Sequence, residues 1–212
     1  MVLAVLAVTC GAAGAPTALP AVQAAIAAPP YQPDSGSLAI RCGWLIDGIA
    51  AHAREGVTVV IEAGRIVAVQ EDTAPVPGSL PVLDLRDMTC LPGLIDMHTH
   101  LTDRPGDTAD LSVYYRRSRE DQAPIALENA RATLLAGFTS ARDVGTYIAW
   151  ADRDLRDAIN SGRAIGPRLQ VPGFYLTVPG GGGDLVIPGQ PESGIPAQVR
   201  VGVARGPEAF RQ

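Results

Sequence analysis

The sequence contains no lysine; all 17 of its basic residues are arginines. It is also poor in histidine, with three, in cysteine, with three, and in aromatic residues, at 5%. The missing lysine removes one residue type from any metal site. It also removes the phosphate-binding P-loop, whose glycine-rich cradle needs a lysine. A net charge of −5 leaves no basic footprint for nucleic acid. A membrane-spanning helix needs about 20 predominantly apolar residues. The strongest apolar run ends near Val8, and Pro16 and Pro20 follow it, so no membrane span is expected.

What is present is a chain of 212 residues, 47% of them hydrophobic, enough for one or two domains with a sizeable core. Met1 to Ala28 holds no charged residue, and "AVQAAIAAPP" offers Ala-x-Ala cleavage sites. Residues 1–28 therefore read as a signal peptide, and the protein as exported to the periplasm or beyond the cell. No basic residue precedes the apolar run, which is atypical of such a signal. Cys10 would leave with it. Cys42 and Cys90 read as two buried thiols behaving as small hydrophobes. An oxidising compartment leaves their pairing open.

After a Pro/Ser/Gly-rich loop the pattern turns to β. "LAIRCGWLID" reads as a strand. Val57 to Glu62 and Arg65 to Gln70 flank Ala63-Gly64, a two-residue hairpin signal. "LPVLDLRDMTCLPG" reads as one or two short strands around a turn at Arg86-Asp87. Residues 29–91 thus form a small, mostly antiparallel sheet unit. His52 lies in a loop there and is expected to be solvated.

From residue 92 to 212 strands alternate with helices, the pattern of a parallel α/β sheet. "GLIDMH", "TSARDVG" and "PRLQVPGFYL" are the strands. The first helix, within "DQAPIALENARATLLAGF", places Leu127, Ala130, Leu134, Leu135 and Phe138 on one face. The second, from an N-cap at Thr146 to Gly162, turns Ile148, Ala151, Leu155, Ala158 and Ile159 inward. "GPEAFRQ" begins a third.

The stretch "CLPGLIDMHTHL" carries the chemistry. Residues i and i+2 of a strand share a face, so His98 and His100 aim two imidazoles at one point. Imidazole is a common zinc ligand. Asp96 shares that side and is a candidate to orient a histidine. Asp143 and Arg142 end the second strand. They either line the pocket mouth or pair with each other to stitch strand to helix. Gly180 to Asp184 reads as a flexible rim loop, with an anion cradle as the alternative. Tyr114 and Tyr115 either pack on the rim or contact substrate.

"LPGLIDMHTHL" resembles the signature of the amidohydrolase superfamily. "ENARATLLAGFTSARDVG" and "LRDAINSGRAIGPRLQ" resemble its branch of imidazolonepropionase-like enzymes and secreted Xaa-Pro or Xaa-Arg dipeptidases. The resemblance runs from about Leu38 to Gln212. It implies an α/β fold: the first three strands or so of a (β/α)8 TIM-like barrel, preceded by a small, incomplete β-sandwich. It implies hydrolysis of amides, cyclic amides or dipeptides by a metal-activated water, with His98 and His100 as ligands of one or two divalent ions, zinc being expected. The remaining ligands of such enzymes, a lysine or glutamate, two histidines and an aspartate, come from later strands. This chain has no lysine, and its third histidine is His52. Gly182 stands where relatives often carry a histidine. The chain is therefore expected to be the N-terminal part of a longer enzyme, with an inactive exported fragment or a weak metal-binding protein as the alternative. The partner is expected to be a small amide or dipeptide. No residue is assigned as catalytic, and oligomeric state is not legible.

Overall fold

The computed structural model describes residues 3–5 and 36–211. The chain forms two compact units, residues 1–93 and 94–212. Nearly all of the expected signal segment lies outside the described residues. No described helix is long and apolar enough to cross a membrane.

The first unit is a five-stranded sheet. Its strands are β1 (Leu3–Val5), β2 (Leu38–Leu45), β3 (Arg54–Glu62), β4 (Arg65–Glu71) and β5 (Val82–Pro92), in the order β1-β5-β2-β3-β4. The β3–β4 hairpin turns as expected at Ala63 and Gly64, whose φ angles of 48° and 73° are the paired positive values of a tight two-residue turn. The sheet departs from expectation at β5, which is one strand and lies parallel to β2. Its register shifts beyond Cys42↔Leu85, so Arg86 and Asp87 form an irregularity within the strand rather than a turn. Gly43 makes this possible, since a Cβ there would strike the Arg86 carbonyl oxygen.

Parallel pairing of β2 with β5 sets Leu45 opposite Cys90 and brings Cys42 within a Cα–Cα distance of 5.8 Å of Cys90. The two sulfurs form a disulfide rather than standing as separate thiols. Both are fully buried, in a core with Ile40, Leu45, Val57, Val59 and Ile61. His52 is exposed in its loop.

The second unit is built on a parallel sheet, β6 (Leu94–Thr99), β7 (Phe138–Asp143) and β8 (Arg168–Gln170), in that order. One short and two longer α-helices precede the C-terminal segment: α1 (Val113–Arg116), α2 (Arg119–Leu135) and α3 (Ala151–Asn160). A last turn, α4, spans Gly206–Ala209. Leu101, Ala126, Ala130, Ala141, Leu155 and Leu169 form the core between α2, α3 and the sheet. The third strand is only three residues long, because Pro172 and Gly173 follow it closely.

Both long helices are set differently from the sequence pattern. Helix α2 starts earlier, where Ser118 and Asp121 form a reciprocal capping box. Its buried face is Gln122, Ile125, Ala126 and Ala130, while Leu127 and Leu135 are exposed. Helix α3 does not start at Thr146. The Thr146 hydroxyl accepts from the amide of Ile148, two residues on, a local bond that competes with helix capping. The helix begins after Trp150, held at a positive φ of 71°. The Trp150 amide donates to the Gly173 carbonyl, and the Arg153 guanidinium lies 4.5 Å from its ring centre.

The disulfide closes a loop with a sequence separation of 48. Cross-linking a loop of that length is worth about 4 kcal/mol on the chain-entropy account. Cys42→Ala should lower stability by an amount of that order, read as a reduced denaturant midpoint. Alkylation without reductant should label neither Cys42 nor Cys90 in the wild-type chain.

Candidate metal centre

Pairing of β6 with β7 sets Thr99 opposite Asp143, and the Val144 amide donates to the Thr99 carbonyl. The C-terminal ends of the two strands therefore emerge together. His98 is the penultimate residue of β6 and His100 follows the strand directly. Their rings meet edge to face with centroids 5.5 Å apart, on one side of the strand. His98 is exposed and His100 half-buried.

The His100 ring is oriented from behind. Its Nδ1 lies 2.8 Å from the Gly145 carbonyl oxygen. A carbonyl has no proton to give, so Nδ1 carries the hydrogen and donates it. The other nitrogen, Nε2, is left with its bare lone pair, the arrangement usual for a metal-ligating histidine.

Asp143 is buried and builds this backing. One carboxylate oxygen accepts from the Leu101 amide and the other from the Gly145 amide, each at 3.0 Å. It thus ties the residue after His100 to the residue whose carbonyl holds the His100 ring. It makes no pair with Arg142, which donates instead to the Met97 carbonyl. Asp96 accepts from the backbone amide of His98 at 3.0 Å and does not engage an imidazole. Each carboxylate therefore acts on the main chain that carries a histidine.

Two residues that the sequence pattern did not single out, Gln122 and Asn129, support the loop that follows the pair. Gln122 on α2 donates to the carbonyl of Thr102, and Asn129 donates to the carbonyls of Leu101 and Asp103 at 3.0 and 2.8 Å. Seven residues apart, they lie on one face of α2 and hold the loop beyond His100 by its backbone. Two polar residues at that spacing on an inward helix face were the available signal. The Thr102 hydroxyl donates to that of Thr146 at 3.0 Å. Tyr114 is buried rather than rim-exposed, and Tyr115 donates to the Leu185 carbonyl at 2.9 Å.

The glycine-rich segment is tied down, neither a loose rim nor an open cradle. The Gly180 amide donates to Asp184, whose carboxylate also takes both prongs of Arg200 at 3.0 Å. An anion would have to displace that carboxylate. A Cβ at Gly182 would meet nothing, so the position lies in open space.

The two imidazoles fit as part of a divalent-ion site. They do not complete one. Catalytic zinc sites use about three protein ligands. Among the described residues no group of three or more His, Cys, Asp or Glu side chains could hold a metal.

Burial pushes the Asp103 and Asp143 carboxyls up to about 6. Their hydrogen bonds, to Tyr114 for Asp103 and to the Gly145 and Leu101 amides for Asp143, oppose the shift without cancelling it. A carboxyl that binds its proton more tightly when folded stabilises the fold in its protonated form. That contribution is complete below the ordinary value of 3.8 and is lost as pH rises through about 6. Asp103→Asn, neutral throughout, should show a thermal midpoint that falls less across this window than that of the wild-type chain.

The model of the amidohydrolase family matches residues 89–209. A crystal structure of a Xaa-Pro dipeptidase with methionine bound in its active site is 33% identical, with a TM-score of 0.70 over 82% of this chain and 43% of that one. The dihydroorotase of Syntrophus aciditrophicus (strain SB) is 48% identical over 48 residues, 23% of this chain and 11% of that protein. The N-acyl-D-aspartate deacylase of Alcaligenes xylosoxydans xylosoxydans is 48% identical over 56 residues, 26% of this chain and 11% of that protein. The chain spans less than half the length of the dipeptidase it matches. The family match extends over more than half of the sequence and includes both histidines of the site: this chain belongs to the amidohydrolase family.

Proposed function

We propose that this chain supplies the first corner of the active site of a metal-dependent hydrolase of carbon–nitrogen bonds, acting on a small amide, cyclic amide or dipeptide. The observation that carries the reading is the pair His98 and His100 at the C-terminal end of a parallel strand, with His100 Nδ1 bound 2.8 Å from a carbonyl and Nε2 left free to ligate. On this reading β6, β7 and β8 are the opening strands of an eight-stranded barrel, whose functional face is the C-terminal one. The sheet of the first unit is part of a β-sandwich. Similarity to a Xaa-Pro dipeptidase favours a dipeptide among the substrate classes.

His98 and His100 would hold the ion, zinc by the preference of imidazole donors. When bound, such an ion activates a water for attack on a carbonyl carbon near neutral pH. Asp143 and the Gly145 carbonyl keep the His100 ring in its ligating orientation. Asp96 fixes the main chain at His98. Further ligands would come from beyond these strands, since among the described residues no third His, Cys, Asp or Glu joins the pair and the sequence has no lysine. Export fits an uncharged segment from Met1 to Ala28 and a disulfide, which persists in oxidising compartments. The count of two imidazoles favours a second reading, a weak metal-binding protein without activity.

Calorimetric zinc titration should show binding that His98→Ala and His100→Ala each weaken by more than about a hundredfold, beyond the effect usual for outer residues. In the full-length enzyme that carries these strands, amine release from Xaa-Pro dipeptides and N-acyl amino acids should cease on chelation and return with zinc. Zinc binding by this chain with no hydrolysis by that full-length enzyme would select the second reading. Zinc binding untouched by either substitution would sink both.

A further inference from the structure

Tyr175, just beyond β8, is absorbed by neither the family signature nor the metal pair. Its hydroxyl oxygen lies 3.1 Å from His100 Nδ1, across a separation of 75 residues. The two rings are tilted with centroids 6.1 Å apart, so the contact is through the hydroxyl rather than by stacking. Since the Gly145 carbonyl holds the Nδ1 hydrogen, the Tyr175 oxygen is a second acceptor for the same hydrogen, a shared bond of ordinary kind. The imidazole edge is thus gripped between two oxygens from different elements.

The surroundings of Tyr175 are shaped for it. A Cβ at Gly145 would strike its ring, one at Gly183 its Cβ, and one at Gly202 its carbonyl oxygen. These three glycines belong to three separate segments, and each leaves space that Tyr175 fills. Only Gly145 has a φ in the left-handed region, so at Gly183 and Gly202 close approach is the reason for glycine. The Tyr175 ring also leans on Tyr147 at 5.0 Å, which in turn meets Tyr114 at 5.0 Å. The segment is anchored from outside, because the Thr177 amide donates to the Gly202 carbonyl and the Ala204 amide to that of Thr177.

The structure assigns Tyr175 as the positioning residue of His100, seated in a socket of Gly145, Gly183 and Gly202. The glycine-rich segment then serves as one wall of that socket. The assignment rests on the proposed ligand role of His100 for its purpose, though not for its geometry.

Long-range proton–nitrogen NMR of the 212-residue chain without metal reads the His100 tautomer directly. The wild-type chain should show one tautomer, with the hydrogen on Nδ1. Tyr175→Phe keeps the ring in its socket and removes the hydroxyl; it should leave thermal stability nearly unchanged and populate the Nε2–H form measurably. Its zinc affinity should fall roughly tenfold, the lower end of the effect of outer residues on metal sites. Gly202→Ala, which displaces Tyr175 without touching His100, should reproduce the mixed tautomer in chain that circular dichroism shows to be folded. If Tyr175→Phe retains the single tautomer and the wild-type zinc affinity, the assignment fails. If the wild-type chain binds no zinc, the ligand reading of His100 fails, and the tautomer measurement still decides the role of Tyr175.

Discussion

A single buried carboxylate underlies the histidine corner. Asp143 stands opposite Thr99 in the parallel sheet and spends its two oxygens on the amides of Leu101 and Gly145. One of those amides belongs to the residue that follows His100 and the other to the residue whose carbonyl grips its ring. Without that bridge the ends of β6 and β7 would still pair. The imidazole would then have no fixed surface to lean on. Burial raises the proton affinity of this carboxyl, and the two amide bonds offset part of that cost. The fold thus holds a polar group in its interior to fix the path of two loops.

Around that bridge the second unit is organised by side chains that reach main-chain atoms. Gln122 and Asn129 hold carbonyls of the loop after His100. Asp184 holds an amide of the glycine-rich segment and is itself held by Arg200. Buried backbone groups outside helices and strands need partners. Here the amides and carboxylates of neighbouring elements provide them, which makes irregular segments as well defined as the strands they follow.

Local patterns were legible in the sequence and remote ones were not. The hairpin at Ala63-Gly64 was readable because positive φ at adjacent residues has a narrow residue preference. The His98/His100 pair was readable because strand periodicity alone puts two residues on one side. The inward face of α2 was misread, since apolar spacing assumes apolar contacts, and Gln122 points inward to satisfy a carbonyl. Thr146 looked like a helix cap, but its hydroxyl is engaged with Thr102 and Ile148. The disulfide depends on β5 lying parallel beside β2, a pairing that no local run of residues announces. Tyr175 is farther still from any pattern, because its meaning comes from a partner 75 residues away and from glycines on three segments.

The manner in which α2 holds the loop has a consequence for change. Gln122 and Asn129 bind carbonyl oxygens, which every amino acid possesses, and Gln122 also donates to the Asp103 carboxylate. The main-chain course of residues 101–103 is set by these carbonyl bonds, and their side chains reinforce it: Leu101 packs in the core, the Thr102 hydroxyl bonds that of Thr146, and Asp103 accepts from Gln122. The histidine corner is thus held twice, once through main-chain carbonyls and once through the side chains that follow it, so a change at Leu101, Thr102 or Asp103 reaches the histidines through the core rather than through the metal side.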